Sequence, residues 1–205
     1  MLSVKPLSAF HVLDQHFFPM ACSLTLHPQD SLSLKNDGAV LTVIRQGTFK
    51  LERTQEDILV GISPSPMILG LPGLFDPRSE SYQLTALTEC DAYQLEGSLS
   101  KGILDRNQLW REAFQWVSWI SKAQEARDVQ LIGQNSYSQI RATLQVMSKW
   151  DEALRARIGV MNYIQQRTHI SRSVIAEVLA ALRAGNYIEM NKGKLTSVKR
   201  LPLEY

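Results

Sequence analysis

The sequence of 205 residues is poor in metal-binding side chains, with two cysteines and four histidines. The two thiols, Cys22 and Cys90, are too few for a disulfide framework, a four-thiolate zinc site or a cysteine-ligated iron–sulfur cluster within one chain. No histidine falls in residues 39–95, where a β-barrel metal enzyme needs its ligands, and no serine or cysteine lies in a nucleophile elbow. We therefore expect no catalytic residues, no metal site and no cofactor.

Long apolar runs are also absent. The N-terminal stretch MLSVKPLSAFHVLDQHFF lacks the apolar run and the small-residue cleavage site of a signal peptide. No stretch approaches the roughly eighteen apolar residues of a membrane-spanning helix. Two unpaired thiols suit a reducing compartment, so we expect a soluble cytoplasmic protein that has no membrane partner.

Charge is divided unevenly along the chain. The formal net charge is only +2, but residues 1–133 hold 11 basic and 15 acidic side chains, whereas residues 134–205 hold 11 basic and 5 acidic ones. A basic C-terminal third is typical of a segment that meets phosphate groups, and it favours a nucleic-acid partner.

Residues 23–95 have the pattern of short strands. The runs SLTL, SLSL, AVLTVI, TFKLER, DILVGI, YQLTAL and DAYQL are separated by prolines, glycines and other turn residues. This spacing predicts an all-β sandwich or barrel. A helix is expected before it, over residues 6–18, with Leu7, Phe10 and Leu13 on its inward side.

Residues 107–131 contain neither glycine nor proline and predict a long helix that ends near Gly133. Because three tryptophans fall within ten residues, the helix has more apolar surface than one small domain covers, and we expect it to form a homodimer. An ordinary buried helix inside a monomer is the alternative. The expected interface is a heptad-spaced stripe: Trp110, Ala113, Val117, Ile120 and Gln124.

The basic C-terminal third shows helical patterns over residues 139–150, over residues 155–167 and from Ser171 to Gly185, followed by the hairpin pattern YIEM–NKGK–LTSV. Two helices, a short turn and a basic hairpin are typical of a winged helix-turn-helix, whose second helix presents its first turn to the major groove. Arginine there suits guanine, and hydroxyl and amide groups suit phosphates. The candidate DNA contacts are Ser171, Arg172, Ser173, Arg167, His169, Arg155, Lys192 and Lys194.

Several segments resemble the Crp/Fnr family of bacterial transcription regulators. ISRSVIAEVLAALRAGNYIEMNKGKL resembles the recognition helix and wing, LTVIRQGTFKLER resembles the β-roll hairpin with Gly47 at its turn, and MILGLPGLF resembles the start of the cyclic-nucleotide phosphate-binding cassette. QLWREAFQWVSW and RIGVMNYIQQRTHISRS resemble the divergent IprA-type branch, named for an inhibitory effect on hydrogen peroxide resistance. The resemblance implies a homodimeric regulator of a pseudo-palindromic DNA operator, a role in oxidative stress, and RNA polymerase as a further candidate partner.

The fold class that follows is α+β, in three parts. We expect a degenerate cyclic-nucleotide-binding-like β-roll over residues 1–104, a long dimerisation helix over residues 105–133 and a winged helix-turn-helix over residues 134–205.

The sequence departs from the family pattern at sites that matter. The turn glycine of the helix-turn-helix is replaced by His169, and Ser173 and Glu177 stand at two base-reading positions, so the DNA sequence that is read must differ. In the cassette, Leu71 stands where the family has a glutamate that accepts a ribose hydroxyl. The family's phosphate-binding pair, Arg followed by Ser or Thr, falls on Glu80 and Ser81. We therefore expect regulation without cyclic nucleotide.

An alternative function stays open. The chain could be a ligand- or redox-sensing adaptor that acts through protein–protein contacts, with Cys22 and Cys90 as the sensing thiols.

Overall fold

The computed structural model describes residues 4–34, 40–76 and 82–203. The chain divides into two compact units, Met1–Gln124 and Glu125–Tyr205. Within the described ranges, no helix is long and apolar enough to cross a membrane.

The first unit contains two four-stranded antiparallel sheets behind an N-terminal helix, α1 (Leu7–Phe17). The sheet orders are β1-β8-β3-β6 and β2-β7-β4-β5. The predicted β-rich stretch is confirmed, and the structure adds the short β6, which lies within MILGLPGLF. The strands are β1 (Cys22–Leu26), β2 (Ser31–Ser33), β3 (Val40–Gln46), β4 (Thr48–Arg53), β5 (Ile58–Pro64), β6 (Met67–Leu69), β7 (Tyr82–Ala86) and β8 (Cys90–Glu96).

Helix α1 covers this unit with an apolar face. Phe10, Leu13 and Phe17 are buried in the same core as residues of both sheets. Leu7, which we expected to point inward, is 47% exposed. It is the first residue of α1 and lies at the N-terminal end of the helix.

The two cysteines lie at opposite ends of one strand pair. In the antiparallel register of β1 and β8, Cys22 is opposite Gln94 and Cys90 is opposite Leu26. Four residues along a strand span about 13 Å, whereas a disulfide needs Cα atoms within about 7 Å. Cys22 is exposed and Cys90 is buried, and burial raises the pKa of the Cys90 thiol. This fold therefore does not pair the two thiols with each other.

The predicted long helix is interrupted near its start. The structure has α2 (Gly97–Arg106) and α3 (Trp110–Leu131), separated at Gln108, where φ is +56°. A non-glycine residue in this left-handed region cannot continue an α-helix. Trp116 of α3 is fully buried, and its indole Nε1 donates to the Ile68 carbonyl at 2.9 Å, which attaches the first half of α3 to β6.

The second unit contains four helices and a two-stranded sheet after the end of α3. The expected single helix over residues 155–167 is wrong, because the chain extends at Gly159, which bridges to the backbone of Lys194 while the Val160 amide donates to the Gly193 carbonyl. The elements are α4 (Ser136–Met147), α5 (Glu152–Arg157), α6 (Val160–Thr168), α7 (Arg172–Ala184), β9 (Ile188–Asn191) and β10 (Lys194–Val198).

Each of these helices turns an apolar face inward. Most side chains in the core of the second unit come from the three longer helices, α4, α6 and α7, and from the β9–β10 hairpin. Burying them fixes how α6 and α7 are rotated about their axes. They include Ile140, Leu144, Ile164, Ile175, Leu179, Leu182, Ile188 and Leu195.

Candidate nucleic-acid interface

The start of α7 is a capped, polar and exposed turn. Ser171 is the N-cap, and its hydroxyl oxygen accepts from the Val174 amide at 3.4 Å. Ser171, Arg172 and Ser173 are all exposed, while Ile175 on the same helix is buried. Unpaired amides at a helix N-terminus and the helix dipole together attract anionic oxygens. This turn therefore has the chemistry to bind a phosphate or a base edge.

The turn between α6 and α7 keeps the backbone shape of a glycine turn. His169 is left-handed, with φ 58° and ψ 15°, and its amide donates to the Gln165 carbonyl at 2.8 Å. The residue is exposed. The departure from glycine at this position therefore changes the side chain and leaves the left-handed conformation in place.

The side chain of Arg172 is held by α6. Its Nη1 atom donates to Asn162 Oδ1 at 3.1 Å and to Gln165 Oε1 at 3.2 Å. Neither amide residue was expected at the site, because the sequence does not show that α6 and the start of α7 lie within hydrogen-bonding distance.

The two lysines of the wing are placed differently. Lys192 is exposed at the tip of the β9–β10 hairpin, where it and Gly193 both have positive φ. Lys194 is half-buried, and its ammonium donates to the Arg157 carbonyl at the end of α5, where the helix dipole favours a cation. Lys192 thus keeps the position expected of a phosphate contact, whereas Lys194 attaches the wing to α5.

Two of the expected arginine contacts face the protein. Arg167 is only 6% exposed and donates to Gln130 Oε1 at 3.2 Å, and Arg155 donates to the Ser148 carbonyl at 3.2 Å. Arg167 shares the inward face of α6 with Tyr163, whose pKa is raised by burial, an effect that the arginine partly offsets. Arg167 therefore lacks the exposed surface that we expected, and its spacing of four from Tyr163 was the sequence pattern that indicated burial.

Beyond its first turn, α7 stays exposed along one side. Ala176, Glu177, Ala180 and Arg183 are exposed, whereas Val178 and Leu182 between them are buried. Glu177 lies one helical turn after Ser173 and so extends the same polar surface. A carboxylate there accepts hydrogen bonds and favours the amino group of cytosine.

The expected dimer stripe lies only partly on the surface of the first unit. Ala113 is 4% exposed, and Trp110, Val117 and Ile120 are partly buried against the core of their own unit. Gln124 is exposed, and so is Phe114, at 73%. The exposed face of α3 is therefore displaced from the one that the heptad pattern predicted, since Ala113 has no surface left for a partner.

The cassette region shows one of the three expected pocket residues. Leu71 is buried in the core of the first unit, with 4% exposed. Glu80 and Ser81 lie outside the described residues. Gly70, before Leu71, has φ +97° and packs so closely on the Val40 carbonyl that a Cβ would overlap it.

Known proteins with the same fold define the class. Residues 136–203 match the family model described as winged helix-turn-helix DNA binding. The structure of the c-di-GMP responsive global regulator CLP of Xanthomonas campestris is similar, with a TM-score of 0.72 and 16% identity, over 93% of this chain and 100% of that chain. A CRP/FNR-family transcriptional regulator of Thermus thermophilus is similar with a TM-score of 0.64 and 16% identity, over 85% and 92%. The α+β fold of Crp/Fnr regulators is thereby confirmed.

A closer relative gives the family. A Salmonella typhimurium protein named "Inhibitor of hydrogen peroxide resistance" is 50% identical over 208 residues, which cover 100% of both chains. The chain belongs to the family of proteins that carry this name.

The left-handed turn can be tested by substitution. We expect His169→Ala to have a lower free energy of unfolding than His169→Gly, by about 1 kcal/mol, because only a residue with a Cβ is strained there. Urea unfolding measures the difference. At Gln166, inside α6, the order should reverse, since alanine favours a helix by about 1 kcal/mol over glycine. Equal stability of the two His169 variants would contradict the turn geometry.

Proposed function

We propose that this protein is a transcription regulator that binds a specific DNA sequence as a homodimer, without cyclic nucleotide. The observation that carries the proposal is the capped, exposed turn Ser171–Ser173 at the start of the second helix of a winged helix-turn-helix. Because only the first turns of such a helix reach base edges, the side chains of this turn and of Glu177 would read the DNA.

The exposed residues suit different parts of the DNA. Arg172 would donate two hydrogen bonds to guanine O6 and N7, and Glu177 would accept one from cytosine N4. Lys192, at the tip of the wing, would contact the sugar–phosphate backbone, which positions the protein without reading sequence. The net positive charge of residues 134–205 would add attraction for any duplex.

The dimer would form through an exposed face of α3. Trp110, Phe114, Val117 and Gln124 follow heptad spacing, and Phe114 is a large apolar side chain that its own unit leaves 73% exposed. Beside them, the exposed Phe75 ring lies 5.3 Å from the ring of Trp110. This apolar surface supports a second copy as the partner.

The cellular role would follow from the family name. Relatives are named for inhibiting hydrogen peroxide resistance, and a regulator of this fold would do so by controlling transcription in the cytoplasm. RNA polymerase is then a further proposed partner.

The proposed independence from cyclic nucleotide depends on Leu71. A buried leucine accepts no hydrogen bond, so the ribose contact that the family obtains from a glutamate would be missing. Glu80, at the position of the phosphate-binding arginine, would also repel a phosphate.

Two substitutions test how the DNA is read. Arg172→Ala should relax preference at one base of each half-site by about 1–3 kcal/mol, because a bidentate guanine contact is lost. Lys192→Ala should weaken binding to all sequences alike and lower the salt dependence by about one charge per protomer. Fluorescence anisotropy on fragments recovered by genome-wide mapping measures both. Unchanged operator affinity for Arg172→Ala would contradict the placement of α7.

Phe114→Glu should convert a dimer into a monomer, because it places an unpaired charge in the apolar interface. Light scattering at micromolar concentration reports the mass. Gln115→Glu adds the same charge at the adjacent exposed residue and should leave the dimer intact. Val117 and Ile120 are less suitable, since they also pack on their own core. A wild-type monomer would rule out this proposal.

Calorimetric titration with cyclic AMP should show no saturable binding below about 10 μM. Micromolar affinity corresponds to a binding free energy of about 8 kcal/mol. The lost ribose contact and the acidic residue in place of an arginine together remove several kcal/mol of it. Adenosine 5′-monophosphate serves as the control for non-specific heat. Saturation by cyclic AMP alone would mean that the cassette works despite Leu71.

A further inference from the structure

We infer that Asn162 and Gln165 are positioning residues that orient Arg172 for reading a base. The inference rests on the proposed function, and it adds two side chains that would act through the arginine. Both belong to α6, three residues apart and so on one helical face, and both amide oxygens accept from the same nitrogen, Nη1, at 3.1 and 3.2 Å.

The geometry leaves the guanidinium able to bind a base. A guanidinium has five N–H donors, two of them on Nη1. With Nη1 occupied by two amides, the N–H of Nε and the two of Nη2 remain, and the N–H of Nε and one N–H of Nη2 are parallel on the side-on edge of the guanidinium. Two parallel donors on one edge are what guanine O6 and N7 require. The amides thus restrict Arg172 without using its reading edge.

The neutral charge of the two partners matters. A carboxylate at either position would hold Arg172 more tightly, but its negative charge would offset the charge of the guanidinium and repel the phosphates of the DNA. Amide oxygens accept hydrogen bonds and carry no net charge. Arg172 therefore keeps its full attraction for the negatively charged duplex while its direction is fixed.

The sharp turn at His169 makes the contact possible. The left-handed His169 follows the last residue of α6, and Ser171 caps α7 two residues later. The side chain of Arg172, the first residue of α7, therefore reaches the exposed side of α6 at Asn162. Gln165 takes part twice, because its backbone carbonyl accepts from the His169 amide and its side chain accepts from Arg172. Gln165 of α6 therefore holds both the His169 turn and the side chain of Arg172.

Holding Arg172 in place before DNA binds reduces the side-chain entropy that is lost on binding. Immobilising a flexible side chain on binding costs about 0.5–1.5 kcal/mol, so holding Arg172 beforehand should contribute about 2- to 10-fold in preference for its base. Asn162→Leu combined with Gln165→Leu should lose this factor at one base of each half-site, with the salt dependence unchanged. Gln166→Leu is the matched control, since Gln166 is an exposed amide of the same helix.

A double-mutant cycle separates positioning from direct DNA contact. In the Arg172→Ala background, the two leucine substitutions should have no further effect on base preference. Gln165→Glu, which keeps the accepting oxygen, should keep the base preference while it lowers overall affinity. A leucine effect that persists without Arg172, or wild-type preference in the double-leucine variant, would overturn the inference and leave the proposed function intact.

The inference can also be tested by a measurement on the protein without DNA. Nitrogen NMR of the arginine side chains should show slow rotation of the Arg172 Nη1 group in the wild type and in Gln166→Leu, and fast rotation in the double-leucine variant. Equal rotation in all three would overturn the inference. A wild type that binds every duplex alike would instead overturn the proposed function, and the base-reading role with it.

Discussion

The burial of one apolar face of α7 determines what the second unit can present to a partner. Ile175, Val178, Leu179 and Leu182 are all less than about one-tenth exposed, and burying four such side chains contributes about 1.5–3 kcal/mol each. Rotating the helix would expose them, so the opposite face is fixed outward. That face begins at the capped turn and continues through Glu177. The hydrophobic core of this unit thus orients the polar turn Ser171–Ser173 toward solvent. The side-chain amides of Asn162 and Gln165 then restrict Arg172 within that turn.

Much of this arrangement could be predicted from the sequence, because it depends on local patterns. Ser171 as N-cap and Gly185 as the end of α7 follow from residue preferences, and the turn residues at 191–193 indicate the wing. The β-rich first unit follows from apolar runs separated by turn residues. Predicting these features requires no knowledge of the tertiary contacts between elements.

The errors share a different cause, since each depends on a contact distant in sequence. The break at Gly159 exists because residue 159 pairs with Lys194 of the wing, and Lys194 itself faces α5 instead of solvent. Arg167 is charged, yet it is buried beside Tyr163 and bonded to Gln130. On α3, the heptad positions alone do not show that Ala113 is already buried in the core of its own unit. Charge and spacing identify candidates, and packing decides which of them reach the surface.

The central claim is that two copies of this helix-turn-helix read one DNA site. Selection of bound sequences from a pool of randomised duplexes by the wild-type protein tests it most directly. The account predicts an enriched motif with two inverted half-sites, their centres about 10–10.5 base pairs apart, since a two-fold dimer places its recognition helices in successive major grooves. An unenriched pool, or a motif with a single half-site and no inverted copy, would contradict the account.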